Sequence, residues 1–186
     1  MKHLKICLVF LTSSLFFGCS ESETPESVQA LKPVYGTLND ISSSIKSVDV
    51  QPIKKVGKIY TINNLLFINE VGKGVHVIDN SLKVSPKKIK FIEIPGNVDI
   101  AIKGNYMYAD IGSGLATINI SDINNVEMTS FDSNYVPDNL QFQPPQAMLN
   151  LFNSSKVYFE CPQSDKGIII SWEVVTMPKP QCYLNN

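Results

Sequence analysis

From residue 57 to residue 131 the apolar positions fall at nearly every second place, in short runs separated by turn residues. That period belongs to β-strands with one face buried, because successive side chains point to opposite faces. The pattern predicts strands at 57–62, 65–69, 75–79 and 89–94. Asn63-Asn64 makes a tight turn between the first two, since Asn tolerates positive φ, and Gly72-Lys73-Gly74 makes the next. A polar stretch to Lys88 leads into the fourth strand, and Pro95-Gly96 then breaks the chain. Upstream, residues 31–56 read as a lead-in segment. Thr37 is placed there to cap a short helix, with Asp40 in its first turn and Leu38, Ile41 and Ile45 along one face. No amphipathic helix of about ten residues lies between the strands, which argues against a parallel α/β sheet and predicts an all-β fold.

The four-strand pattern occurs twice. Asn64 falls on Asn105, Phe67 on Tyr108, Gly72 on Gly112, Gly74 on Gly114, Ile78 on Ile118 and Ser81 on Ser121, with an offset of 41 and then 40. One residue is absorbed in the turn. In the second unit Gly104-Asn105, Gly112-Ser113-Gly114 and residues 122–125 supply the turns. A period near 40 built from short strands is the signature of propeller blades rather than of helical repeats.

Here the residues resemble a known family. The string Gly74-Val75-His76-Val77-Ile78-Asp79-Asn80-Ser81, the join Ile94-Pro95-Gly96-Asn97-Val98-Asp99-Ile100-Ala101 and Gly104-Asn105-Tyr106-Met107-Tyr108-Ala109-Asp110 are similar to LVIVD-repeat lipoproteins of Bacteroidota. Residues 167–173 followed by Pro180-Gln181-Cys182-Tyr183 resemble the segment those proteins carry after their first repeats. The resemblance spans residues 32–183 and implies a β-propeller-like repeat fold on the cell envelope, with no settled activity. Related chains generally carry more repeats. Repeat stacks need at least about three units, so two leave an exposed face or strand edge. Homo-oligomerisation, pairing with another repeat protein, or masking by residues 133–186 is the expected remedy.

The first eighteen residues read as an address. Lys2, His3 and Lys5 precede an apolar run of twelve residues, 6–17, which suits a signal peptide and falls short of the about 20 that span a bilayer. Gly18-Cys19 after that run resembles the lipobox of bacterial lipoproteins, although Phe16 and Phe17 stand where that family prefers Leu and a small residue. The resemblance implies cleavage before Cys19 and fatty acylation of Cys19; a plain secretion signal is the alternative. Residues 19–30 form an acidic tether, with Glu21, Glu23 and Glu26, that lacks the apolar area to offset its chain entropy. The Ser-Glu-Ser-Glu run after Cys19 also resembles the export signal of Bacteroidota surface lipoproteins, against a generic acidic linker. The expected layout is therefore a signal at 1–18, tether at 19–30, lead-in at 31–56, repeats at 57–96 and 97–132, and a loop-rich segment with short strands at 133–186.

Composition narrows the function. Of the 186 residues, 44% are apolar and 18% charged, enough for one buried core and about one domain. The formal net charge is -1 and all 16 basic residues are Lys. A neutral chain without Arg is poorly equipped to grip nucleic acid. In an oxidising compartment Cys161 and Cys182 are expected to form a disulfide, with two free thiols as the alternative. Neither has the C-x-x-C spacing of a redox or zinc site.

No catalytic apparatus emerges, and no metal or cofactor is expected. His76 is the only His of the mature chain, and a lone strand His is usually a packed or surface residue. Asp79, Asp99, Asp110 and Asp122 sit at strand ends, where Asp caps turns; convergence on one rim would allow a cation or a hydrolytic carboxylate pair. Tyr60, Phe67, Tyr106 and Tyr108 are expected in the core between units. Trp172, Tyr158 and Tyr183 form either a recognition surface or a plug over an open unit. The expectation is a non-catalytic outer-membrane lipoprotein, exposed at the cell surface, held to the membrane by its N-terminal lipid and binding a protein or glycan partner or completing a propeller-like assembly. The competing expectation is a surface hydrolase acting on glycan or peptide through turn carboxylates.

Overall fold

A computed structural model describes residues 24–137 and 140–186. The signal at 1–18, Cys19 and the first part of the tether lie outside the described residues. The described chain is all-β, with three sheets and two short α-helices.

The first meander runs through β3 (Val56–Ile62), β4 (Leu65–Glu70), β5 (Gly74–Asp79) and β6 (Lys87–Glu93), each antiparallel to the next. The second repeats the order with β7 (Ile100–Lys103), β8 (Tyr106–Ile111), β9 (Gly114–Asn119) and β10 (Glu127–Asp132). Their turns match bond for bond. Asn80 N–H donates to Asn64 O and Ile120 N–H to Asn105 O, both at 2.8 Å. Ser81 N–H donates to Asp79 Oδ1 and Ser121 N–H to Asn119 Oδ1. Asn63 takes the positive φ of 52° that the first tight turn requires.

The lead-in segment adds three elements: β1 (Ser27–Gly36), α1 (Leu38–Ser44) and β2 (Lys46–Val48). Thr37 and Asp40 close the expected capping box, each accepting the other's backbone N–H. Ile41 and Ile45 are buried, but Leu38 is not on that face and stays exposed. Strand β2 pairs with β6 and covers the outer edge of the first sheet, whereas β10 has β9 on one side only. The two meanders share one core. Phe67, Val77, Ile92, Met107 and Ile118 meet in it, and Ile41 of α1 with Ile45 just after it close it. Tyr60 packs against this core as expected, while Tyr106 is exposed.

The third sheet corrects the expected layout. Its order is β12 (Ile168–Pro178), β1, β11 (Lys156–Phe159) and β13 (Cys182–Asn185). Strand β1 runs antiparallel to β12 from Ser27↔Pro178 to Gly36↔Ile168 and parallel to β11. The expected tether therefore ends before Ser27, because Ala30 and Leu31 are fully buried in this sheet. Residues 133–186 likewise do not stand alone; they need β1 as their central strand. Leu31, Val157, Phe159, Ile169 and Trp172 form a second core, covered by α2 (Gln146–Leu149) through Met148 and Leu149. The Cys161–Cys182 disulfide, with Cα atoms 5.3 Å apart, pins β13 beside β11.

Glycine lets the third sheet dock on the meanders. A Cβ on Gly112 would lie 1.6 Å from the Ile169 carbonyl oxygen, and one on Gly96 would lie 2.2 Å from that of Ile170. Both glycines also have positive φ, 57° and 73°. The C-terminal sheet thus masks turn ends of the meanders, not their strand edges.

Candidate functional site

Strand β4 ends in two buried polar residues, Asn69 and Glu70. Glu70 accepts the backbone N–H of Lys54 at 2.9 Å on Oε2 and that of Lys55 at 2.7 Å on Oε1. His76 Nε2, from the neighbouring strand β5, lies 3.1 Å from Oε2, and its ring rests 4.7 Å from that of Phe91. Burial presses the Glu70 carboxyl upward, but the two backbone donors and His76 outweigh it and hold the group below its ordinary range. The carboxylate thereby anchors the chain just before β3.

The second meander uses the same device one position earlier in the repeat. Asp110, aligned with Asn69, accepts on Oδ1 from Val98 N–H at 2.8 Å, Asp99 N–H at 2.9 Å and Asn97 Nδ2 at 2.8 Å. Burial dominates here and raises the Asp110 pKa, against the backbone bonds of Asp99 and Val98. Asn69 Nδ2 donates to Gly74 O and to Asn97 Oδ1, so one polar chain links the two units. Asn69 Oδ1 and His76 Nδ1 are buried without a hydrogen-bond partner among the described residues.

Above Glu70 the surface opens into two clefts that share Lys54, Glu70, Gly72 and Lys73. The larger, about 510 Å3, continues past Lys46, Phe91 and Glu93. The smaller, about 220 Å3, continues over Met148, Leu151, Trp172 and Val174. Together they make a groove between the first meander and the third sheet. Lys46 is neutralised by Glu93 at 3.3 Å. Glu70 is committed to Lys54 N–H, Lys55 N–H and His76. That leaves the ammonium groups of Lys54 and Lys73, both on exposed residues, without an acidic partner among the described residues at the junction, and exposed Lys55 adds a third lysine to the smaller cleft. The arrangement suits an anion carried on a partly apolar body. A separate cleft of about 410 Å3, with Asp110, Gly112, Pro144, Pro145, Leu149 and Leu184 among its walls, holds the raised Asp110 carboxyl.

The expected site residues are placed as follows. His76 is buried and paired, as a packed strand His should be. The four turn carboxylates do not share a rim. Asp79 and Asp122 cap loops beside the Asn64 and Asn105 turns, while Asp99 and Asp110 sit at the opposite ends of the strands, with Asp99 bound to Lys58 at 2.9 Å. No group of three or more His, Cys, Asp or Glu is placed to hold a metal among the described residues. The aromatic trio is divided by strand alternation. Trp172 faces inward, edge-on to Phe159 at 5.8 Å, and is only 7% exposed. Tyr158 and Tyr183 face the other way as a direct cross-strand pair, 5.9 Å apart, with Lys156 Nζ 4.0 Å from the Tyr183 ring. Trp172 is thus a core residue of the third sheet, and the open aromatic face is Tyr158 with Tyr183.

Sequence reasoning missed Glu70, Lys54 and Lys73. The one signal was Asn69-Glu70 closing an otherwise apolar strand run, which reads equally well as the start of a turn. No family model, curated protein or solved structure matches the chain.

Proposed function

We propose that the protein is a non-catalytic lipoprotein of the cell envelope, anchored through acylated Cys19, whose β body binds an acidic protein or glycan partner in the Lys54–Lys73 groove. The observation that carries the reading is the commitment of charge at that groove. The buried Glu70 carboxylate is spent on the Lys54 and Lys55 backbone N–H groups and on His76, so the groups left for a ligand are lysine ammonium ions beside an apolar wall. Such a site suits an anion. The Cys161–Cys182 bond supports an oxidising compartment.

Titration calorimetry with an acidic oligosaccharide and an acidic peptide tests the groove. Wild-type chain should bind at least one of them, and Lys54→Ala with Lys73→Ala should weaken that binding about tenfold or more; an unchanged affinity refutes the groove. Palmitate labelling of cells tests the anchor: label should vanish in Cys19→Ala, and persistent label would refute it. Protease treatment of intact cells should cut the chain if it lies on the outer face.

A second reading rests on the open edge of β10. The equivalent strand β6 is covered by β2, while β10 has an edge left unpaired among the described residues, so the module would extend its sheet with a second repeat protein. Sedimentation of the chain alone and with envelope extract separates the two: a complex lost on introducing Pro at Ser130 favours strand pairing, and one lost only with the two lysines favours the groove.

A further inference from the structure

The two meanders carry the same loop between their third and fourth strands, and the two loops have opposite chemistry. After β5 the turn is closed by Ser85 N–H on Leu82 O at 2.8 Å; after β9 it is closed by Asn125 N–H on Asp122 O at 3.1 Å. At a constant offset of 40, Leu82 answers to Asp122, Val84 to Asn124 and Pro86 to Val126. The second loop is what this turn ordinarily demands: Asp122 and Asn124 point to water, and Val126 is buried beneath them. In the first loop Leu82 is 62% and Val84 96% exposed. Backbone geometry does not require apolar residues at these places, since the sister loop closes without them.

Charge follows the same division. Residues 80–90 hold four lysines, Lys83, Lys87, Lys88 and Lys90, and no acid, whereas residues 120–130 hold Asp122 and Glu127 and no lysine. Lys90 is offset by Asp49 at 3.5 Å, Lys87 stands opposite Asp79 and Lys88 Nζ donates to Gln51 O at 3.0 Å; Lys83, Lys87 and Lys88 are all on exposed residues around the tip. Three exposed lysines thus lie around two protruding apolar side chains in a protein of net charge -1.

We infer that the 80–86 loop is a membrane-contacting tip: Leu82 and Val84 enter the interface of a bilayer rich in anionic phosphate headgroups, and Lys83, Lys87 and Lys88 lie on the headgroups. Two side chains are far too little for a stable protein interface, which takes roughly 800 Å2 from each partner. A bilayer asks for no complementary pocket, and each lysine near an anionic surface strengthens binding about fivefold. The inference rests on the envelope-lipoprotein reading for its setting. There, a tip too weak to hold the protein alone would act with the lipid as a second attachment and fix the orientation of the β body.

Cosedimentation of residues 20–186, which retain every described residue and lack Cys19, tests the tip without the anchor. The probes are vesicles of equal parts phosphatidylglycerol and phosphatidylcholine, and vesicles of phosphatidylcholine alone. The chain should bind the anionic vesicles and much less the neutral ones. Leu82→Ser with Val84→Ser should weaken binding about tenfold or more, as should Lys83→Gln, Lys87→Gln and Lys88→Gln together, while Asn124→Ser in the sister loop should change nothing. All these residues are exposed loop or strand-start positions, so circular dichroism should show intact folds. No vesicle binding, or equal binding by the Leu82/Val84 variant, overturns the inference. Loop-dependent retention on polyglutamate without vesicle binding also overturns it, assigning the tip to an acidic protein. Palmitate labelling at Cys19 is read separately, so a failed anchor and a failed tip give different results.

Discussion

Two carboxylates that do the same mechanical work should answer pH in opposite directions. Glu70 and Asp110 each tie down the chain entering the first strand of their meander. Glu70 is held below its ordinary range in the fold, so its contribution is full above the unfolded carboxylate range and is lost as pH falls through the lower folded value. Asp110 is raised, so the stability linked to its protonated form is present below the unfolded value and is lost as pH rises through the folded one. Glu70→Gln places an amide donor against backbone donors and should cost about 1–3 kcal/mol at neutral pH, with a flatter acid limb. Asp110→Asn keeps an acceptor for Val98, Asp99 and Asn97 and removes a buried charge, so it should leave neutral-pH stability unchanged or higher. Urea melts across the acid range check both; matching pH profiles for the two variants would refute this account.

At the scale of elements, what could be read from sequence was local. The meanders were legible because each strand pairs with the next across a turn whose chemistry lies in two or three residues, Asn63-Asn64 or Gly104-Asn105. The cap at Thr37 was legible for the same reason. The third sheet was not, since its central pairing joins Ala30 to Val175 and nothing near either residue names the other. The groove fails the same way: Lys54, the Glu70–Lys73 turn and Trp172 come from three stretches, and the working lysines look like any of the 16. Close docking of β12 was half visible, as glycines whose conformational use could be stated but not their neighbour. Gly112→Ala tests that docking. The added Cβ meets the Ile169 carbonyl and sits at positive φ, so the variant should lose on the order of 3 kcal/mol by thermal or urea melting. Gly104→Ala has the same sign of φ but nothing within 4 Å, and should lose only about 1 kcal/mol.

For the whole molecule, the question is whether two cores make one cooperative unit. Strand β12 answers it through the bulge that skips Ile170 in its pairing with β1: Ile169 and Trp172 both face the second core, while Ile168 and Ile170 pack against the first. The strand that both cores share cannot leave one without stripping the other. Trp172 is the chain's single tryptophan, so its fluorescence reports on the second core alone, whereas far-UV circular dichroism reports on all three sheets. The two signals should therefore trace one transition with one midpoint. Replacing Cys161 and Cys182 by Ala releases a cross-link across 21 positions and should cost about 3 kcal/mol in the chain-entropy model. Because β13 hangs on β11, which pairs with β1 beside β12, that loss should move both signals together. A variant whose tryptophan signal melts first, with most of the circular dichroism retained, would mean that the third sheet is a separable cap and that the meanders stand without it.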